Sequence, residues 1–189
     1  MSRRKNLTIL LGIVVACLSV YRGISMQQNS SASQQLTNLG EVRVEKVVDG
    51  DTIEVRLDGR SQKVRLIGMD TPEVVDPRKV VQCFGREASA EAHKRLEGKT
   101  VRLEYDVQVG EQDKYGRRLA YVFLPNGSNY AEGMIRDGYA KEYTYQGQVY
   151  KYQANFKQAQ AEAASASRGF WSPNTCGGDT KQPANPEAP

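Results

Sequence analysis

Histidine is nearly missing: His93 is the only one among 189 residues. The three cysteines, Cys17, Cys83 and Cys176, are far apart, so no His or Cys pair stands at the spacing of a zinc site. Imidazole or thiolate chemistry is not implied, and His93 reads as a solvated helix-face residue. A surplus of positive charge is missing too. The formal charge is +4, yet Arg3, Arg4, Lys5 and Arg22 account for it, and the other 22 basic residues meet 22 acidic ones. Any anion must be held by a local arrangement and not by bulk charge. A long apolar run is the third absence. The stretch from Leu7 to Tyr21, behind a cationic end, falls short of the roughly 20 residues of a bilayer-spanning helix. Residues 1–25 read as an export signal or a short retained anchor, with Cys17 in a loose lipoprotein-like box as a further option. The protein is therefore expected to be exported, either secreted or anchored to the outer face of the cell membrane.

What is present is one domain's worth of patterned chain. Residues 26–40 are polar and low in complexity, which reads as a tether, and 173–189 read as a similar flexible tail carrying Cys176. The folded part is 41–172, with no internal repeat. EVRVEKVV and TIEVRL alternate apolar and polar residues on either side of Asp49 and Gly50, and a second turn at Asp58 and Gly59 leads into QKVRLIG. That is a three-stranded meander. GREASAEAHKRLEG lacks β-branched residues and stops at Gly98, as a helix would. TVRLEYDVQV and RRLAYVFL supply two more strands around GEQDKYG, and helices are expected over 129–138 and 149–168. The order predicts an α+β, mainly β fold: a five-stranded Greek-key barrel of the OB type with three helices. If Cys17 belongs to the signal, Cys83 and Cys176 remain as a pair in an oxidising compartment. A disulfide there would restrain the unfolded chain by about 2–4 kcal/mol, and two free thiols are the alternative.

The chemistry gathers where VRLIGMDTPE, from Val64 to Glu73, turns from strand into charge. Asp51 follows the first hairpin turn and Asp70 ends the third strand, so neighbouring strands bring both to one rim. Two carboxylates repel unless a cation or proton separates them, and oxygen donors without His or Cys select Ca²⁺ or Mg²⁺. Thr71 could add a backbone carbonyl. Taken alone, Asp-Gly-Asp-Thr is an ordinary turn. Glu73 stands behind a proline that disfavours helix at Thr71, near a metal without having to bind it, which suits a general base acting on water. Arg65 leads to the rim and Arg117 ends the loop Asp113-Lys114-Tyr115-Gly116. Guanidinium forks match the oxygens of a phosphodiester under attack in a way that lysine does not. Each arginine alone reads as a surface residue; with the carboxylates the two form a clamp.

VVDGDTIEV, VRLIGMDTPE, FGREAS and DKYGRRLAYVF, in this order and with FWS near Trp171, resemble the signature segments of the staphylococcal nuclease, or thermonuclease, family. The resemblance covers 41–172. It implies a Ca²⁺-dependent endonuclease acting on DNA and RNA and leaving 3′-phosphorylated products; separately, the protein is expected to be a monomer. Carried over residue by residue, it implies Asp51, Asp70 and the Thr71 carbonyl as calcium ligands, Glu73 as general base, and Arg65 and Arg117 as phosphate and transition-state arginines. Lys114 and Tyr115 resemble contacts to a neighbouring phosphate. Tyr143 and Tyr145 resemble nucleotide-pocket tyrosines, and exposed aromatics of this kind stack on any base. The alternative for Tyr143, Tyr145, Tyr150 and Tyr152 is a packing cluster beneath the last helix. Cys83, the N-terminal segment and the cysteine-bearing tail depart from the family pattern. Two rival readings are a catalytically silent nucleic-acid-binding module and a surface DNA receptor. Asp51, Arg65, Asp70, Glu73 and Arg117 are all present, which favours the enzyme.

Overall fold

A computed structural model describes residues 38–74, 76 and 80–184 of the chain, so the expected signal or anchor and nearly all of the tether lie outside the described residues. Among the described residues, no helix is long and apolar enough to cross a membrane. Strand β1 (Asn38–Asp49) begins three residues earlier than its alternation suggests. Val42 and Val44 point inward, and a register shift between Val44 and Lys46 then lets Val47 face the core as well. Such a bulge bends the strand and tightens its twist, as barrel closure requires. A second shift between Val47 and Asp49 leads into the turn at Gly50 and Asp51.

β2 (Thr52–Leu57) and β3 (Arg60–Leu66) complete the meander, with Ile53, Val55, Val64 and Leu66 buried. After the two-residue β4 (Met69–Asp70), helix α1 (Gly85–Leu96) crosses to β5 (Thr100–Glu104), which pairs antiparallel with β6 (Arg118–Phe123). β6 also runs parallel to β3, matching Val64 with Arg118 and Leu66 with Ala120. The barrel order β1-β2-β3-β6-β5 is closed, so the chain has the expected OB-type α+β fold, with three α-helices among the described residues. Helix α2 (Tyr130–Arg136) is capped by the Asn129 side chain, and α3 (Gln153–Ser165) buries Phe156, Ala159 and Ala163. A small second sheet, absent from the sequence reading, pairs β4 with β7 (Lys141–Glu142).

β5 is shorter than TVRLEYDVQV suggests because Asp106 turns the chain. Its backbone carbonyl accepts from Val109 and Gly110 N–H, and one side-chain oxygen accepts from Gln108 N–H. The other oxygen of this buried carboxylate accepts from the Tyr121 hydroxyl at 2.6 Å and from Lys151 N–H at 2.7 Å, so the Tyr121 proton is held far more tightly than usual by burial and by Asp106. Tyr150 and Tyr152 also belong to packing: Tyr150 is 4% exposed against Phe156, and Tyr152 packs edge-on to Tyr121. His93 lies exposed on α1, 2.8 Å from Glu97.

The stretch after Pro173 departs from its reading as a free tail. Cys176 Sγ is bonded to Cys83 Sγ at 2.07 Å. Cys83 N–H donates to the Gln182 carbonyl, Ala184 N–H donates to the Val81 carbonyl, and Cys176 and Thr180 are buried. Backbone pairing and the covalent link hold residues 176–184 against the start of α1.

Candidate active site

The first carboxylate of the rim is set by the hairpin turn. Gly50 passes so close to Thr71 that a Cβ on it would lie 2.6 Å from Thr71 Cγ2, so only glycine fits. That approach lets Asp51, 7% exposed, receive Thr71 N–H on Oδ2 at 3.3 Å, while its Oδ1 receives the Thr52 hydroxyl at 2.9 Å. Leu66 N–H donates to the Asp51 carbonyl, tying the turn to the end of β3. Arg65 projects from β3 between two acids: one guanidinium nitrogen contacts Asp51 Oδ2 and the other lies 3.0 Å from Asp70 Oδ1. The structure thus brings Asp51, Arg65, Asp70 and Thr71 together.

Arg117 reaches the same end of the barrel because the parallel register sets its neighbour Arg118 beside Val64, one residue from Arg65. Burial lowers the Arg65 pKa, the ion pair with Asp70 opposes this, and the nearby Arg117 charge lowers it further. Two guanidinium groups close enough to feel each other make an anion-attracting pair. Arg117 is aimed by Asp113, whose Oδ2 accepts from Nε at 2.6 Å and whose Oδ1 accepts from the Tyr115 and Arg117 N–H groups. Burial alone would raise the Asp113 pKa, but these hydrogen bonds together hold it below its ordinary value.

Glu73 sits beyond Pro72, its N–H donating to Gln82 Oε1 at 2.9 Å and its carbonyl accepting Gln82 N–H at 3.0 Å. Its side-chain Oε1 accepts from Asp76 N–H. Asp49, treated in the sequence only as a turn residue, joins this group. Its carboxyl is pushed up to about 6, chiefly by burial, with the negative charges of Glu73 and Asp70 adding to the rise. The signal was visible as a second acid two residues before Asp51, but Asp-Gly is so common in turns that it drew no weight.

Lys114 and Tyr115 extend the rim outward. Tyr115 is 72% exposed, with Lys114 Nζ 5.0 Å from its ring centre, and Lys114 holds its proton more tightly through Tyr115 and then Tyr145. Tyr143 and Tyr145 are exposed, 6.3 Å apart, with Tyr143 N–H anchored to the Gly68 carbonyl. They are available to a ligand, unlike Tyr150 and Tyr152.

Among the described residues, no group of three or more His, Cys, Asp or Glu is arranged to hold a metal ion, and both rim aspartates are engaged by Arg65. The donor chemistry nevertheless fits a hard divalent cation. Every candidate donor is oxygen, and Asp51 and Asp70 already share one cationic group, the Arg65 guanidinium.

The closed barrel carries paired arginines and crowded carboxylates at one rim, and belongs to the OB class, whose faces bind oligonucleotides or oligosaccharides. The comparisons are specific. Residues 63–173 match the family described as Staphylococcal nuclease homologue. The chain is 42% identical over 171 residues to a thermonuclease of Staphylococcus hyicus, covering 89% of this chain and 99% of that one. It is 42% identical over 132 residues to a thermonuclease of Staphylococcus intermedius, covering 68% and 74%. It is also 32% identical over 153 residues to the endonuclease YncB of Bacillus subtilis, covering 80% and 71%. The chain belongs to the staphylococcal nuclease family.

Proposed function

We propose that this protein is a Ca²⁺-dependent endonuclease that hydrolyses phosphodiester bonds of DNA and RNA to 3′-phosphorylated products. The observation that carries this is the convergence at one rim of Arg65, flanked by Asp51 and Asp70, with Arg117 close enough to perturb it. A phosphodiester under attack spreads negative charge over its equatorial oxygens, and two arginine forks answer that charge more strongly in the transition state than in the ground state. Arg65 and Arg117 exchange their present carboxylate partners for phosphate oxygens. Glu73 accepts a proton from the attacking water as its oxygen bonds to phosphorus; the bond from phosphorus to the 5′ oxygen breaks, and that oxygen takes a proton from solvent. Asp51, Asp70 and the Thr71 carbonyl would hold Ca²⁺, which when bound supplies charge stabilisation to a phosphate oxygen. Lys114 and Tyr115 bind a neighbouring phosphate, while Tyr143 and Tyr145 stack on bases without selecting sequence.

The protein works as a monomer outside the cytoplasm, either secreted or held at the outer membrane face by its N-terminal segment. The bond between Cys83 and Cys176 suits an oxidising compartment. The test is digestion of single-stranded DNA by the full chain, with calcium and then with chelator, alongside Glu73→Gln. Calcium-dependent cleavage that drops by orders of magnitude in the variant is expected. Intact DNA under every condition, with folding verified, would replace the enzyme by a binding module.

A further inference from the structure

Glu73 has no secondary structure of its own to hold it. The described residues 71–74 and 76 are in no helix or strand, and the Glu73 backbone makes a two-point contact with one residue, Gln82. Glu73 N–H donates to the Gln82 side-chain oxygen at 2.9 Å, and Gln82 N–H donates to the Glu73 carbonyl at 3.0 Å. Gln82 is held in turn from the other side. It bridges to Pro183, its neighbour Cys83 donates N–H to the Gln182 carbonyl, and Val81 accepts from Ala184 N–H. The segment that makes these bonds is kept in place by the Cys83–Cys176 disulfide, by Gln182 Nε2 donating to the Cys176 carbonyl, and by Lys141 Nζ donating to the Gly178 carbonyl at 2.8 Å. Lys141 lies in β7, directly paired with Asp70 in β4. The chain packs tightly here as well: a Cβ on Gly85, the first residue of α1, would lie 2.6 Å from Val74 Cγ1 and 3.2 Å from the Glu73 carbonyl.

We infer that Gln82 is the positioning residue for Glu73, and that residues 176–184, fixed by the disulfide, form a strap that holds Gln82 in place. The inference rests on Glu73 as the group that acts on the attacking water. A carboxylate that must meet a water molecule in one geometry loses rate when its backbone can shift, because orientation within a fraction of an ångström carries much of the rate advantage. Binding of the phosphodiester relies on the arginines and on exposed tyrosines, whereas the strap's hydrogen bonds to the barrel and α1 region go to Val81, Cys83 and Lys141. Loss of the clamp therefore lowers kcat and leaves KM nearly unchanged.

The test compares the full chain with Gln82→Met, Gln82→Glu, Cys83→Ser/Cys176→Ser and Glu73→Gln/Gln82→Met, on single-stranded DNA with calcium, with thermal unfolding to verify folding. Gln82→Met keeps the length and loses the acceptor, so kcat should fall about ten- to a hundredfold with KM within about twofold. Gln82→Glu keeps an acceptor oxygen and should recover most of the rate. In the Glu73→Gln background Gln82→Met should cost nothing more, because its effect runs through Glu73. The serine pair should lower kcat in the same sense as Gln82→Met. Parental kcat in Gln82→Met, or its full factor lost again without Glu73, would overturn the inference. A readout independent of turnover separates this from failure of the nuclease reading: hydrogen exchange at the Glu73 amide. That amide should be protected in the parent and should exchange faster in Gln82→Met and in the serine pair, even if the parent cleaves nothing. Equal protection in all three would refute the clamp.

Discussion

The two arginines of the rim are held by opposite means. Arg65 stands on a barrel strand, its side chain 15% exposed, between two aspartates brought to it by strand pairing. Arg117 lies at the end of a loop, twice as exposed at 32%, and is aimed by a single acid four residues earlier in the same loop. The first is placed by the whole barrel and cannot shift without breaking register. The second is placed by local hydrogen bonds, and Asp113 also receives two backbone N–H groups of its own loop. A strand-borne group offers fixed geometry; a loop-borne group can close on a ligand as it arrives.

The sharpest way to break this comparison is to remove the loop-borne charge. Arg117→Ala should lower kcat by about a thousandfold, roughly 4 kcal/mol of transition-state stabilisation, with the thermal midpoint unchanged because the side chain lies outside the core. Steady-state kinetics on single-stranded DNA check it, and a near-parental rate would remove Arg117 from the mechanism. A smaller effect separates the charge from its aim. Asp113→Asn leaves Arg117 in place but weakens the contact to Nε, so kcat should fall about tenfold with Arg117 still required. If Asp113→Asn equals the parent, the loop is ordered by substrate and not by Asp113.

The smallest effect concerns stability on the strand-borne side. The Asp49 carboxyl, pushed up to about 6 from an ordinary 3.8, favours its protonated form when folded. In metal-free protein its charged form opposes folding. The cost is absent below the unfolded value, grows as pH rises between the two, and is complete above about 6. Asp49→Asn should therefore be more stable than the parent by about 1 kcal/mol at pH 8, after allowing for solvent screening, and equal to it at pH 3. Denaturant midpoints across that range measure the difference. A constant gap at all pH values would show that burial, and not charge, sets it.

Much of this was legible from one strand. In the β1 to β3 region, Val44, Ile53, Val55, Val64 and Leu66 carry the alternation that puts them in the core, and their turns are written in Asp-Gly pairs. The strand-borne acids could be read because a hairpin fixes which residues meet across it. The bulge between Val44 and Lys46, the end of β5 at Asp106 and the β4–β7 pairing were not legible, since each depends on a partner distant in the chain. Asp49 escaped because its local role as a turn residue explained it fully. Gln82 escaped because a glutamine between a valine and a cysteine has no pattern; only the folded chain shows that it grips Glu73.

By itself the sequence determined the barrel, the meeting of Asp51, Arg65 and Asp70 at one rim, and the pair of cysteines available for a bond, because alternation, turn chemistry and short motifs act over a few residues. The tertiary structure decided which charges feel one another and what holds the loop-borne groups in place. Burial, Coulomb interaction and hydrogen bonding over long separations depend on distances that no local pattern encodes. Residues 176–184 show the difference best: a polar, glycine-containing stretch that reads as loose becomes, once Cys176 meets Cys83, a fixed support beside the rim.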